Sequence, residues 1–132
     1  MIETPCQWKV VRADLEPSRG SEQAGVRPVI IVSSDSVNEV LSVVTVLPLT
    51  SRKPHRTVYP TEALLPAEIA GQPNESIVMA HQIRALSKER LSHEYGALED
   101  EQVRESVRQA MRFHLDLVEM VSSEVAESPP AE

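Results

Sequence analysis

The chain has 132 residues, of which 41% are hydrophobic and 25% charged, a composition typical of one globular domain. No apolar run approaches the roughly 18 residues of a membrane helix, and no signal-peptide pattern opens the chain. The single cysteine, Cys6, excludes an intrachain disulfide and argues against a Cys-based metal site, so we expect a cytoplasmic protein.

The formal net charge of −7 is unevenly distributed along the chain. Residues 1–92 contain ten basic and ten acidic residues, whereas residues 93–132 contain three basic and ten acidic residues. The acidity is therefore expected to belong to a C-terminal helix and tail. The first part of the chain is neutral, and it remains compatible with a polyanionic partner.

Runs of β-branched and apolar residues predict short strands over most of the chain. In chain order, the predicted strands span residues 8–15, 28–34, 42–49, 57–60 and 76–86. Between them, the sequence predicts a polar loop at 16–27, a turn or one helical turn at 35–39, a basic loop at 50–56 and a helical turn at 87–91. The connection at 61–75 holds two prolines and a glycine, and its length predicts a functional or mobile loop.

From Asp100 onward the apolar residues follow helical spacing. They are Val103, Val107, Ala110, Met111, Leu115, Val118 and Val121. Residues 123–132 are predicted to form a disordered acidic tail. Periodicity alone therefore predicts an α+β or β-barrel domain over residues 1–122, mainly β with a C-terminal helix.

Four blocks of the sequence resemble the MazF/PemK family of toxins, which also includes Kid. The nonapeptide GSEQAGVRP at 20–28 resembles the signature loop of that family. WKVVRADLEP at 8–17, VLPLTS at 46–51 and HQIRALSKERL at 81–91 resemble its first strand, its third strand and its QIR block. The resemblance implies an SH3-like small barrel, a homodimer, and an endoribonuclease (mRNA interferase) that cuts single-stranded RNA with a short sequence preference. It also implies a type II system in which a cognate antitoxin binds the same groove.

Arg27 and Thr50 are the residues that the resemblance and the chemistry together favour for catalysis. Metal-free RNA cleavage uses the 2′-hydroxyl as the nucleophile on its own 3′ phosphate, and it leaves a 2′,3′-cyclic phosphate and a 5′-hydroxyl. Arg27 offers a planar fork of donors for phosphate oxygens, and Thr50 offers a hydroxyl at a strand end. No metal and no cofactor are expected.

The group that accepts the proton stays open. The resemblance implies Arg27 itself, although guanidinium groups do not deprotonate in proteins. His81 stands where the family often has an acidic residue, and it could act as a general acid or base or equally be a surface or base-stacking residue.

Further residues are expected to contact RNA from both sides of the site. They are Glu22, Gln23, Ser51, Arg52, Lys53, Arg56, Gln82 and Arg84. Glu22 and Gln23 could instead shape their loop, while Gln82 and Arg84 are expected to share one face of a strand. The basic residues would bind phosphates.

Two other functions remain possible. One is a non-catalytic toxin of the same fold that inhibits a protein target such as DNA gyrase, and the other is a binding or assembly module whose nuclease activity has decayed. The gyrase-inhibiting relative lacks the loop found at 20–28, and the presence of Arg27 and Thr50 argues against a decayed nuclease.

Overall fold

A computed structural model describes residues 2–118, which form one antiparallel β-sheet with a C-terminal helix. The strands are β1 (Lys9–Asp14), β2 (Val26–Ile31), β3 (Val43–Ser51), β4 (Glu62–Leu65), β5 (Ser76–Met79), β6 (Arg84–Ser87) and β7 (Leu91–Ala97). The helices are α1 (Asp35–Asn38) and α2 (Glu101–Leu115), and 3₁₀ turns lie at Ala80–Gln82 and Lys88–Arg90.

β3 is the central strand because it pairs along both of its edges. One edge pairs with β2, and the other pairs first with β6 and then with β5. The strand order is β4-β5-β3-β2-β1-β7, with β6 also on β3. The fold class is confirmed as mainly β with a C-terminal helix. The pairings leave β4 and β7 at the ends of the order, so the hydrogen bonds do not close the expected barrel.

The sheet separates two groups of buried side chains. Successive residues of a strand point to opposite faces, and paired residues of neighbouring strands point to the same face. On one face, here called the helix face, Val10, Ile30 and Leu47 pack with residues of α2. On the other, here called the far face, Val11 and Val29 lie in a second apolar cluster with residues of β3, β6 and β7.

α2 begins at its capping residue Asp100, whose carboxylate accepts a hydrogen bond from Val103 N at 3.0 Å. It covers the helix face with Val107 and Ala110, both buried. The predicted stripe is wrong beyond Leu115, because Asp116 takes the left-handed conformation (φ 57°) and ends the helix, leaving Val118 90% exposed. The predicted Val121 and the tail at 123–132 lie outside the described residues.

The charge of α2 also differs from the expectation. Between Glu101 and Leu115 the helix carries three arginines and two glutamates, so the excess acid lies before and after it. No helix within residues 2–118 combines the length and apolar character needed to cross a membrane.

Three predicted elements are corrected by the strand pairing. Residues 57–60 form no strand, whereas the connection at 61–75 contains β4, whose Glu-Ala-Leu-Leu sequence has little β propensity but is paired throughout with β5. The predicted strand at 76–86 is broken into β5 and β6 by the turn at Ala80–Gln82. The sequence analysis missed β7, because LSHEYGA has no β-branched residue to mark it.

Candidate functional site

Arg27 and Thr50 lie on neighbouring strands and point to the same face of the sheet. The β2–β3 register pairs Ile31 with Val46 and Val29 with Pro48. The β2–β3 pairs end at Val29 and Pro48, two residues before Arg27 and Thr50, and the alternation of each strand points both side chains to the far face beyond that last pair. Two motifs separated by more than twenty residues in sequence are therefore brought together by the sheet.

The guanidinium of Arg27 is held from one side only. Its Nε donates to Ala24 O at 2.8 Å, within the same signature loop. Its two terminal nitrogens donate to no residue in the described part of the chain. Gly25, at φ 81°, provides the turn that brings Ala24 O to this position. The arrangement fixes the direction of the fork and leaves its outer donors for a ligand.

The loop between β1 and β2 is fastened by side chains of residues 82–90. Gln82 Oε1 accepts from Gln23 N and Gln82 Nε2 donates to Ser21 O, both at 3.2 Å. Arg84 Nη1 donates to Leu15 O at 3.3 Å, and Arg90 donates to Asp14 O at 3.2 Å. Hydrogen bonds thus fix the signature loop both where it leaves β1 and near its middle.

Gln82 and Arg84 are not on one strand as expected. Gln82 lies in a 3₁₀ turn, which forms because Ile83 N bonds to Ala80 O, and the strand resumes only at Arg84. The amide of Gln82 is already engaged by loop backbone. The Oε1 atom of Gln23 is buried without a hydrogen-bond partner among the described residues, which places that side chain inside the loop.

Several of the predicted residues meet in one cleft of about 430 Å³. Its lining consists of Glu22, His81, Gln82, Ile83, Arg84 and Ala85. It joins the signature loop to the QIR block and holds the imidazole of His81, which is exposed. Part of this polar lining is bonded within the chain, because Glu22 Oε1 accepts from Arg19 N at 2.6 Å and both Gln82 and Arg84 bond to loop backbone.

The basic loop after β3 has a different organisation from the one expected. Arg52 Nη1 lies 3.4 Å from Glu75 Oε1, and Arg56 bonds to both carboxylate oxygens of Glu62, at 2.9 and 2.8 Å. Lys53 has no ion-pair partner among residues 2–118. Ser51 ends β3 and is exposed. Lys53 is thus the unpaired cation of this loop, and the fork of Arg56 is committed to a carboxylate.

Glu62 is the residue that sequence reasoning missed. Its side chain is 3% exposed, and its hydrogen bonds with Arg56 hold the pKa of the carboxyl below its ordinary value, against the opposing effect of burial. Tyr59 N donates to the same carboxylate at 3.1 Å. The one feature of the sequence that could have indicated Glu62 is its position as a single acidic residue at the start of the apolar run EALL. In the described part of the chain, no group of three or more His, Cys, Asp or Glu side chains could hold a metal ion.

Known proteins resemble this chain over most of its length. Residues 6–115 match the PemK-like, MazF-like toxins of type II toxin–antitoxin systems. The chain belongs to this toxin family. It is 36% identical over 115 residues to endoribonuclease MazF9 of Mycobacterium tuberculosis, covering 83% of this chain and 92% of that relative.

Solved structures of MazF-type proteins share the fold. The structure of MazF from Deinococcus radiodurans superposes with a TM-score of 0.71 at 27% identity, covering 87% of this chain and 99% of the other. A mycobacterial endoribonuclease in complex with its cognate antitoxin superposes with a TM-score of 0.70 at 23% identity, covering 88% and 99%. The second likeness concerns the fold alone.

The ion pair of the buried Glu62 with the partly exposed Arg56 gives stability a defined dependence on acid. The pKa of Glu62 in the folded chain lies below the ordinary 4.5, so the ionised carboxylate contributes fully above that pH. Its contribution is lost as the pH falls through the lowered pKa. We expect the unfolding free energy of Glu62→Gln, measured by denaturant titration, to depend less on pH below about 4.5 than that of the wild-type chain.

Glu105→Gln is the matched control for this measurement. Arginines 112 and 108 also lower the pKa of Glu105, but its side chain is 40% exposed, so solvent screens the interaction. Its acid dependence should stay close to that of the wild-type chain. Parallel pH curves for Glu62→Gln and wild type would contradict the assignment.

Proposed function

We propose that this MazF-type chain is a sequence-specific endoribonuclease that cuts single-stranded RNA, mRNA included, without a metal ion. The observation that carries the proposal is that Arg27 and Thr50 follow the last β2–β3 pair, Val29 and Pro48, on the same face of the sheet. The endoribonuclease name of the 36%-identical relative supports it. In the cytoplasm such cleavage would stop translation and growth, as expected of the toxin in a type II system.

The proposed chemistry is an in-line attack by the ribose 2′-hydroxyl on the adjacent phosphorus. The P–O5′ bond breaks, leaving a 2′,3′-cyclic phosphate and a 5′-hydroxyl. The terminal nitrogens of Arg27 bind the non-bridging oxygens as charge develops on them, and the hydroxyl of Thr50 donates to the same phosphate. The bond from Arg27 Nε to Ala24 O fixes the fork before RNA arrives, so little reorganisation is needed.

Proton transfer has two candidate groups. The imidazole of His81 lies in the cleft with Glu22 and Arg84, and it is the side chain there best suited to exchange protons near neutral pH. Arg27 is the other candidate, through the family resemblance. The variant series below distinguishes the two.

We expect Arg27→Ala and Thr50→Ala each to lower the single-turnover cleavage rate by about a hundredfold or more, since each removes a preorganised donor. His81→Gln should lower it by about a hundredfold if the imidazole transfers the proton; an unchanged rate would leave that role to Arg27. Arg12→Ala is the control, because Arg12 pairs with Pro28 and so points to the opposite face. A folded Arg27→Ala that cleaves as wild type does would overturn the proposal.

Cleavage should continue in EDTA, because the proposed steps use only side-chain donors and the 2′-hydroxyl. We expect the products to carry cyclic phosphate and 5′-hydroxyl ends, which end-labelling with a kinase detects directly. Activity that disappears with chelator and returns with a divalent ion would contradict this mechanism.

The RNA is proposed to run from the Glu22–Arg84 cleft past Arg27 and Thr50 to the loop at 51–56. Lys53 is the cation of that loop that lacks an ion pair within residues 2–118, so it is placed to contact a phosphate. Binding should weaken with salt, and Lys53→Gln should reduce the slope of log K against log salt by about 0.7. An affinity that is independent of salt would argue against phosphate contacts.

The partners are proposed from the same resemblance. A mycobacterial structure of this fold is a complex with a cognate antitoxin. We propose that an antitoxin covers the far-face groove of this chain, and that the chain acts as a homodimer. Sedimentation equilibrium of the purified protein should give twice the monomer mass, and a single-chain mass across micromolar concentrations would refute the dimer.

A further inference from the structure

Tyr59 is an exposed aromatic side chain on a loop that is otherwise tightly fixed. Its exposed fraction is 57%, and it lies in the connection between β3 and β4. The carbon at the centre of the Arg56 guanidinium lies 5.9 Å from the centroid of its ring. One side of the ring thus meets a cation, and much of the remainder is open to solvent.

The ring is positioned by a buried carboxylate. Glu62 accepts hydrogen bonds from Tyr59 N and from both terminal nitrogens of Arg56, and Arg56 Nη1 also donates to Thr57 O at 2.8 Å. The backbone before the ring and the cation beside it are therefore fixed by the same group. This loop is preorganised before any ligand binds.

Glu62 lies on the same face of the sheet as the proposed catalytic pair. β4 pairs Glu62 with Met79 and Leu64 with Ile77, and β3 pairs Thr50 with the same Ile77. Leu64, Ile77 and Thr50 thus form one cross-strand row on the far face. Glu62 belongs to the next row of that face. Ala80 N also donates to Thr61 O at 2.9 Å, which joins the end of this loop to the turn that carries His81.

The ion pair is poorly explained by stability alone. The Glu62 side chain is 3% exposed and that of Arg56 is 32% exposed, so burial of the carboxylate costs desolvation energy, while solvent weakens its attraction to the guanidinium. All the hydrogen bonds that Glu62 accepts come from the loop just before it. Its effect is therefore to give that loop one conformation, with the Tyr59 ring held outward.

We propose that Tyr59 is a stacking platform for one unpaired nucleobase of the RNA, and that Arg56 and Glu62 are positioning residues for its ring. Aromatic rings bind bases of any identity by stacking, provided that the base is not paired. The inference rests on the proposed ribonuclease function and extends it. It gives the groove a base-binding point beyond the catalytic pair, and it gives Arg56 a role other than phosphate contact.

The test measures binding to a 2′-O-methyl RNA that contains a sequence cut by the wild-type chain and lacks the attacking hydroxyl. Tyr59→Leu, which removes the ring, should raise the Kd about tenfold. Tyr59→Phe keeps the ring and should bind as the wild-type chain does. Glu62→Gln keeps the ring but weakens its support, so it should also raise the Kd while leaving the saturated cleavage rate on normal RNA unchanged.

Phe113→Leu is the matched control. Phe113 is 62% exposed and lies on α2, the helix that covers the helix face, so the loss of its ring should not affect binding. Replacement of single nucleotides by abasic residues identifies the stacked base. At one position the abasic residue should weaken binding to the wild-type chain about tenfold. The same RNA should bind Tyr59→Leu no more weakly than the intact RNA does.

The outcomes separate this inference from the function on which it rests. Suppose that the wild-type chain cleaves RNA but Tyr59→Leu binds it as tightly, or that the losses of affinity from Tyr59→Leu and from the abasic residue add at every position. The stacking role of Tyr59 would then be wrong, and the proposed ribonuclease function would be unaffected. If Glu62→Gln binds as wild type does, the positioning role is wrong. If the wild-type chain cuts no RNA at all, the proposed function itself fails.

Discussion

The pairing of β3 along both edges is the constraint on which the site depends. It brings β2 to one side and β5 and β6 to the other, so residues from positions 27, 50, 62 and 84 reach one face of one sheet. A shift of one residue in the β2–β3 register would move Arg27 to the helix face and destroy the arrangement. Apolar side chains of β2 and β3 are buried on both faces of the sheet, so such a shift would have to repack both clusters. The apolar core thus fixes the geometry of the polar site.

The two-sided sheet also bears on the proposed binding of a polyanion by a chain whose net charge is −7. α2 covers the helix face, opposite Arg27 and Thr50, and its own charges are nearly balanced. Within the helix, Glu101 and Glu105 pair with Arg108, and Glu105 also pairs with Arg112. The charged side chains along the proposed RNA path are Arg27, Lys53 and Arg84, with Glu22 beside Arg84 in the cleft.

Much of this fold could be predicted from the sequence, and the limits have physical causes. The runs that became β1, β2 and β3 are rich in Val and Ile, and the capped helix after Asp100 follows a clear period. β4 and β7 were not predicted, because the segments Glu-Ala-Leu-Leu and LSHEYGA have little intrinsic strand propensity. They become strands by pairing with β5 and β1. The end of α2 was missed because Val118 continues the apolar period, while the left-handed Asp116 that stops the helix leaves little trace in sequence.

For the candidate site, the residue types were easier to predict than their partners. The motifs indicated Arg27, Thr50, Glu22 and His81, of which Glu22 and His81 line one cleft, while Arg27 and Thr50 lie at the ends of neighbouring strands. No pattern could show that Arg56 bonds to Glu62, because the carboxylate that takes its charge reaches it only through the folded loop. Sequence therefore indicated a basic loop and left open which of its cations a ligand would meet.

Both loops that border the groove are fixed by one side chain from outside their own turn. The Gln82 amide accepts from Gln23 N and donates to Ser21 O, two residues apart, which is the spacing a neighbouring strand would use. The Glu62 carboxylate holds the other loop as an acceptor only, taking hydrogen bonds from Tyr59 N and from the Arg56 guanidinium. A side chain can hold a loop in this way without adding a strand that would fill the groove. The conformations of both loops thus depend on hydrogen bonds from single side chains to backbone groups, at Ser21 and Gln23 in one loop and at Tyr59 in the other.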